Sequence, residues 1–255
     1  MVEKEIIIDN IKIKYTKKKC KNDVVFVFLH GWGSDYKIFL PVYKKLDNFI
    51  AFNFPRFEES SKLKKDWNLL DYAKFTESFL DKKIGDKKVI FVAHSFGGRV
   101  LIKLLNTYQL ENIKQIICIG VPFFREYNFK QKIIQIITKI VKFILKPLPN
   151  NLTKIIREKW YEFIGVNDYI ELEDNIMKKT FQNIISEDIS KTTLILKNYK
   201  TDFIWGENDE MALVSGARVV SKEVGADLHI IKNGDHFPFI GQYAKQFMKI
   251  FKKVT

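Results

Sequence analysis

Ser95, His236 and Asp209 are the residues of this 255-residue chain around which chemistry can be built. Ser95 sits in Ala93-His94-Ser95-Phe96-Gly97, a small-x-Ser-x-Gly pattern. The apolar run Val89 to Ala93 precedes it, and Val100, Leu101, Leu104 and Leu105 follow at helical spacing. A turn that sharp between a strand and a helix strains the backbone at the Ser and needs small neighbours. It lifts the hydroxyl above the sheet edge and points the Phe96 N–H, at a helix N-terminus, into the space beside it. This is the setting of an activated nucleophile; a buried structural Ser is the alternative.

A Ser hydroxyl is a weak nucleophile and needs a base. The chain has 4 histidines. His94 adjoins Ser95 and should point away from the hydroxyl, His30 precedes a Gly-rich turn, and His229 lies inside a strand pattern. His236 stands in a loop after the last strand, at the sheet edge where Ser95 should also emerge, because catalytic groups in open parallel sheets gather at the strand C-terminal ends. His236 is therefore the expected base. An imidazole base needs an acid to fix its tautomer. Asp209, a short turn beyond the preceding strand, is favoured over Glu207 and over Asp235, whose side chain should diverge from its neighbour's. In His30-Gly31-Trp32-Gly33 the glycines let the backbone turn tightly. Opposite a nucleophile, the Trp32 N–H is the natural second donor to an oxyanion, beside that of Phe96.

These groups must be positioned by a regular frame. Glu5 to Thr16 alternates around Asp9-Asn10 and reads as a hairpin. Val24–Leu29 is continuously apolar, as in a strand covered on both faces. The spacing predicts a helix over Ser34–Leu46, a strand over Phe49–Phe54, a helix over Leu69–Ile84, the strand and helix around Ser95, and a strand over Ile113–Val121. Strands alternating with helices predict a parallel sheet with helices on both faces. Residues 122–190 break the rhythm and read as helical. Ile133, Ile134, Ile137, Val141, Ile144 and Leu145 share one helix face, and Gln135, Lys139, Lys142 and Lys146 the other. This segment is expected to be a lid over an apolar pocket, with Trp160, Tyr161, Phe163, Tyr169 and Phe181 as an aromatic supply. Strands at Thr201–Trp205 and Leu228–Ile231 and helices at Met211–Val224 and Tyr243–Phe251 follow. The expected division is a core of 1–121 and 191–255 with a lid of 122–190.

Net charge is +13. The excess is almost all Lys, with Arg only at 56, 99, 125, 157 and 218. Phosphate or base recognition favours Arg forks, so a solvated Lys surface is the expectation and nucleic acid is not a predicted partner. A basic helix in 133–146 could lie on an anionic membrane surface, which is less favoured than a lid. Cys20 and Cys118 are far apart, and a reducing cytoplasm is the simpler expectation. The N-terminus lacks a charged-then-apolar signal pattern, and no apolar stretch is long enough to span a membrane.

Taken together, HGWG at 30–33, FPRFEES at 54–60, AHSFGG at 93–98, FIWGEND at 203–209 and NGDHFPF at 233–239 resemble the α/β-hydrolase superfamily, in its lid-bearing serine hydrolase and esterase branch. The resemblance implies an α/β fold with an eight-stranded, mostly parallel sheet flanked by helices, its first hairpin at the antiparallel edge and a helical lid inserted after the strand ending near Val121. It implies a serine hydrolase of carboxylic esters of small to medium apolar substrates, with Ser95, Asp209 and His236 catalytic, Trp32 and Phe96 as oxyanion donors, and no metal or cofactor. His30, Phe123, Phe124, Trp160 and Phe237 are candidates to line the substrate pocket. Carbon–carbon hydrolases and thioesterases share the same three residues, and a slow-turnover ligand receptor or a peripheral lipid binder are readings of another class. Departures from the family pattern are Ala93 for the usual first Gly of the elbow, Arg56, Glu58 and Glu59 where glycines are common, Lys200 where a Pro is frequent, an acidic Asp202 inside a strand, and Glu210-Met-Ala-Leu after Asp209.

Overall fold

The computed structural model describes residues 2–18, 23–124 and 174–255. Among the described residues eight strands form one sheet: β1 (Val2–Ile8), β2 (Ile11–Lys18), β3 (Val24–Leu29), β4 (Phe49–Phe52), β5 (Lys88–His94), β6 (Ile113–Ile119), β7 (Thr201–Gly206) and β8 (Asp227–Ile231). Their spatial order is β1-β2-β4-β3-β5-β6-β7-β8. The β1–β2 and β2–β4 pairings are antiparallel and every other pairing is parallel. The hairpin turns at Asp9 and Asn10, both left-handed at φ 50° and 63°, as two-residue hairpin turns demand.

The continuous apolar runs of β3 and β5 are explained by what covers them. Val25, Val27 and Leu29, with Val89, Phe91 and Ala93, face one core, and Phe28, Ile90 and Val92 face the other. On the first side lie helices α2 (Leu69–Lys83), α3 (Phe96–Thr107), α4 (Asn175–Ser186) and α5 (Val214–Val224). On the second lie α1 (Leu40–Tyr43) and α6 (Ala244–Val254). Helix α2 starts at a capping box in which Asn68 and Asp71 exchange side-chain and backbone hydrogen bonds, satisfying two of the free N–H groups of its first turn.

Several boundaries differ from the sequence expectation, each for a local reason. The helix expected over Ser34–Leu46 is a 3-10 turn, Tyr36–Phe39, capped by the Asp35 side chain, followed by the short α1. Pro41 lies in the first turn of α1, where its missing N–H is tolerated but would interrupt a longer helix. Helix α5 begins at Val214 rather than Met211, because the N–H groups of Met211 and Ala212 donate to Asp209 Oδ1 at 2.9 and 2.8 Å. Strand β6 ends at Ile119, and Gly120 turns the chain at φ 54°.

Asp202 is buried inside β7 with partners on both sides. Gln115 Nε2 on β6 donates to its Oδ2 at 2.6 Å, and His229 Nε2 on β8 meets its Oδ1 at 2.9 Å. Cys118 is buried in β6 as a free thiol, and burial pushes its pKa up to about 12. Cys20, the amphipathic stretch 133–146 and most of the expected lid, including Trp160, Tyr161, Phe163 and Tyr169, lie outside the described residues. No described helix is long and apolar enough to cross a membrane.

Candidate active site

Ser95 links β5 to α3 with φ 50° and ψ −116°, a left-handed backbone that an L-residue adopts at a cost of about 1–3 kcal/mol. The conformation is held from both sides. The Ser95 N–H donates to Ile119 O at 2.9 Å, and the Gly98 N–H donates to Ser95 O at 3.0 Å. Ser95 is the one residue between Phe91 and Val100 that is only half-buried, the others being buried. The Phe96 N–H belongs to the first turn of α3, where N–H groups have no intrahelical acceptor.

The loop after β3 runs directly against this turn. A Cβ built on Gly31 would lie 3.4 Å from Ser95 Cβ and 2.9 Å from His94 Nδ1. Only glycine lets the backbone leading to Trp32 approach so closely. Its indole then packs edge-on against Phe57 and Phe96, with ring centroids 5.0 and 5.5 Å away.

Asp209 and His236 follow β7 and β8, at the same end of the sheet. His236 Nδ1 is 2.8 Å from Asp209 Oδ2 and 3.0 Å from Oδ1. Both side chains are almost wholly withdrawn from solvent. An ionised carboxylate only accepts, so His236 carries its proton on Nδ1 and leaves Nε2 with a lone pair. The two competing acids are otherwise engaged: Glu207 Oε2 accepts the Asn233 N–H at 2.9 Å and Asp235 Oδ1 accepts the Phe237 N–H at 2.8 Å.

The other histidines have separate occupations. His94 lies beside the His236 ring, centroids 4.7 Å apart, and its Nε2 bonds the His236 main-chain carbonyl at 2.9 Å. Burial, reinforced by the charge of His236, holds His94 well below the ordinary imidazole pKa. His229, in the middle of β8, is the partner of Asp202.

Residues 24–135 match a family model described as the alpha/beta hydrolase fold. Stretches of 100 and 112 residues are 35% and 34% identical to proteins named "Putative esterase/lipase 2" of Mycoplasma pneumoniae and Mycoplasma genitalium, covering 37% and 42% of this chain. Those stretches span 37% and 40% of the relatives' own length. A lipase-esterase related protein of Clostridium acetobutylicum superposes with a TM-score of 0.68 over 95% of this chain and 99% of that one, at 20% identity, a likeness of fold. The chain has the α/β-hydrolase fold.

Within this fold the residues expected to line the pocket are placed unevenly. His30 is a correction: it is fully buried, Phe54 N–H donates to its Nε2 at 3.0 Å, and its Nδ1 bonds Gly31 O at 2.8 Å. Both ring nitrogens are occupied by backbone, and desolvation lowers its pKa to about 4. It ties the loop after β3 to the loop after β4 rather than facing a ligand. Phe123 is also a core residue, 2% exposed, with its ring 5.1 Å from Phe203 and 5.6 Å from Trp205. Phe124 and Phe237 are half-buried, and the Phe237 ring lies 5.2 Å from that of His236. Trp160 is outside the described residues.

Contacts that the motifs did not signal also build the site. Gly120 lies against the Asp209–His236 pair; a Gly near the end of the expected strand Ile113–Val121 was its only trace. Arg56 and Glu58 have φ of 77° and 49°. Positive φ favours glycine, and the expectation of glycine at these positions was the available signal.

Proposed function

We propose that the protein is a serine hydrolase of carboxylic esters, with Ser95 as nucleophile, His236 as base and Asp209 as the acid that orients it. The observation that carries this reading is the 2.8 Å bond between His236 Nδ1 and buried Asp209, at the end of the sheet where Ser95 stands in a left-handed turn. Such a bond leaves Nε2 free to accept a proton.

Ser95 Oγ attacks the ester carbonyl carbon, and its proton passes to His236 Nε2. The carbonyl oxygen becomes an oxyanion, met by the N–H groups of Phe96 and Trp32, each worth about 3 kcal/mol in the transition state. Asp209 stabilises the imidazolium without taking its proton. The tetrahedral intermediate collapses, the C–O bond to the alcohol breaks, and the alcohol leaves with the proton from His236. Water then attacks the acyl-enzyme; His236 takes a proton from it and returns one to Ser95 as the carboxylic acid departs.

The test is steady-state hydrolysis of p-nitrophenyl esters from acetate to laurate by the wild type and Ser95→Ala. The variant should lose on the order of 10⁴- to 10⁶-fold in turnover. Equal activity in the two proteins would remove Ser95 from the mechanism. A folded wild type inactive on every ester would move the reading to a carbon–carbon bond hydrolase or a receptor.

A further inference from the structure

Helix α4 is held to the core at both ends and in the middle. At its start, Asp174 accepts the Ile176 N–H at 2.8 Å and pairs with Arg56 Nη2 at 3.2 Å. In its middle, Thr180 Oγ1 accepts the Trp67 N–H at 3.0 Å, and Asn183 Nδ2 donates to Asp66 Oδ2 at 3.0 Å. At its end the buried guanidinium of Arg99, on α3, donates to Ile184 O at 3.0 Å, to Glu187 O, and to Pro122 O at 2.7 Å. Lys103 pairs with the Glu187 side chain at 2.8 Å. Carbonyls at a helix C-terminus carry its negative dipole end, so a cation is well placed there. A planar fork satisfies several of them at once, which an ammonium cannot do in the same geometry.

The buried stripe of α4 is Met177, Thr180 and Ile184. Phe181 lies off that stripe, half-buried, with its ring 5.1 Å from the Trp32 indole. The sheet order tells which part of an ester that contact meets. Asp209 and His236 come from the β7 and β8 side of β5, whereas Trp32 and Phe57 come from the β3 and β4 side. The base must hand its proton to the departing alcohol, so the alcohol lies toward β7 and β8 and the acyl group toward Trp32.

We propose that α4 is a fixed wall of the acyl pocket, with Phe181 as a specificity-determining residue and Arg56 and Arg99 as the positioning residues that seat it. This rests on the ester-hydrolase reading above. The substrates it implies are esters of short acyl groups. The left-handed backbone of Arg56 fits that role, because a residue kept in an unfavourable conformation needs surrounding contacts to hold it there.

The experiment compares kcat/KM for p-nitrophenyl octanoate and acetate. Their ratio cancels the fraction of active protein, so a loss of folding alone leaves it unmoved. Phe181→Ala should raise the ratio at least tenfold, and Phe181→Trp should lower it. Arg99→Lys and Arg56→Gln should each raise it several-fold by loosening α4; if Arg99→Lys does not fold, Arg56→Gln and Asp174→Asn carry that arm. An unchanged ratio in Phe181→Ala, with hydrolysis still dependent on Ser95, overturns the wall. An unchanged ratio in the folded arginine and Asp174 variants overturns the seating. Wild-type hydrolysis that survives in Ser95→Ala overturns instead the reading on which both stand.

Discussion

Gly120→Ala adds a single methyl group beneath the two residues proposed to activate Ser95. Its Cβ would lie 3.1 Å from Asp209 Oδ2, 3.1 Å from His236 Nδ1 and 3.2 Å from His236 Cε1. Each is a few tenths of an ångström closer than an unstrained contact. The neighbours have little room to yield, because Asp209 is fixed by the N–H groups of Met211 and Ala212 and the His236 carbonyl by His94. The backbone adds its own penalty: at φ 54° an L-residue costs about 1–2 kcal/mol. The expected outcome is a stability loss larger than the backbone cost of about 1–2 kcal/mol, with a turnover loss of about 10- to 100-fold, since the methyl must push the imidazole off its carboxylate. Gly225→Ala separates the two effects. Gly225 also has positive φ, at 74°, but its Cβ would meet nothing within 4 Å, so it should lose only the backbone cost and keep its turnover. Urea denaturation and p-nitrophenyl acetate hydrolysis on the same preparations make the comparison. Full turnover in a folded Gly120→Ala protein would refute the claim that the Asp209–His236 contact sets the rate.

Two further outcomes follow from burial. His30 titrates near 4 when folded and near 6.5 when free; its folded pKa is lowered, so its contribution is complete above pH 6.5 and is lost as the pH falls through 4. That interval corresponds to about 3 kcal/mol, with His94 acting in the same direction. His30→Gln should flatten the fall in urea midpoint between pH 7 and 4.5, and an unchanged slope would show that His30 is not the group responsible. Cys118, whose buried thiol is pushed up to about 12, should resist a disulfide reagent at pH 8 until urea unfolds the chain; rapid reaction in the native protein would contradict its place inside β6.

The strands and the meeting of Asp209 with His236 could be read from sequence because their signals are local. A run such as Val24 to Leu29 says that both faces of a strand are covered, whatever covers them. The loops carrying Ser95, Asp209 and His236 follow from strand ends and sheet direction. The pocket was less legible. Nothing in the sequence near Val121 says whether an aromatic ring faces ligand or core, and Phe123 turned inward onto Phe203 and Trp205. His30 looked available because nothing nearby in sequence announces that Phe54 N–H and Gly31 O will occupy its ring. The roles of Arg56 and Arg99 depend on partners far along the chain, such as Asp174 and Glu187.

The pairing of Asp202 with His229 has a consequence beyond satisfying a buried carboxylate. Like Asp209 and His236, these two residues are an Asp and a His separated by 27 positions. One pair closes within β7 and β8, and the other in the loops beyond their ends. In register, Asp202 stands opposite Asp227 and Ile204 opposite His229. Sliding β8 by one residue would turn its alternate side chains to the wrong face, leave Asp202 with Gln115 alone, and carry His236 away from Asp209. The inner pair therefore works as an alignment mark for the outer one: a chain that closes the first contact while folding has already brought the second into step.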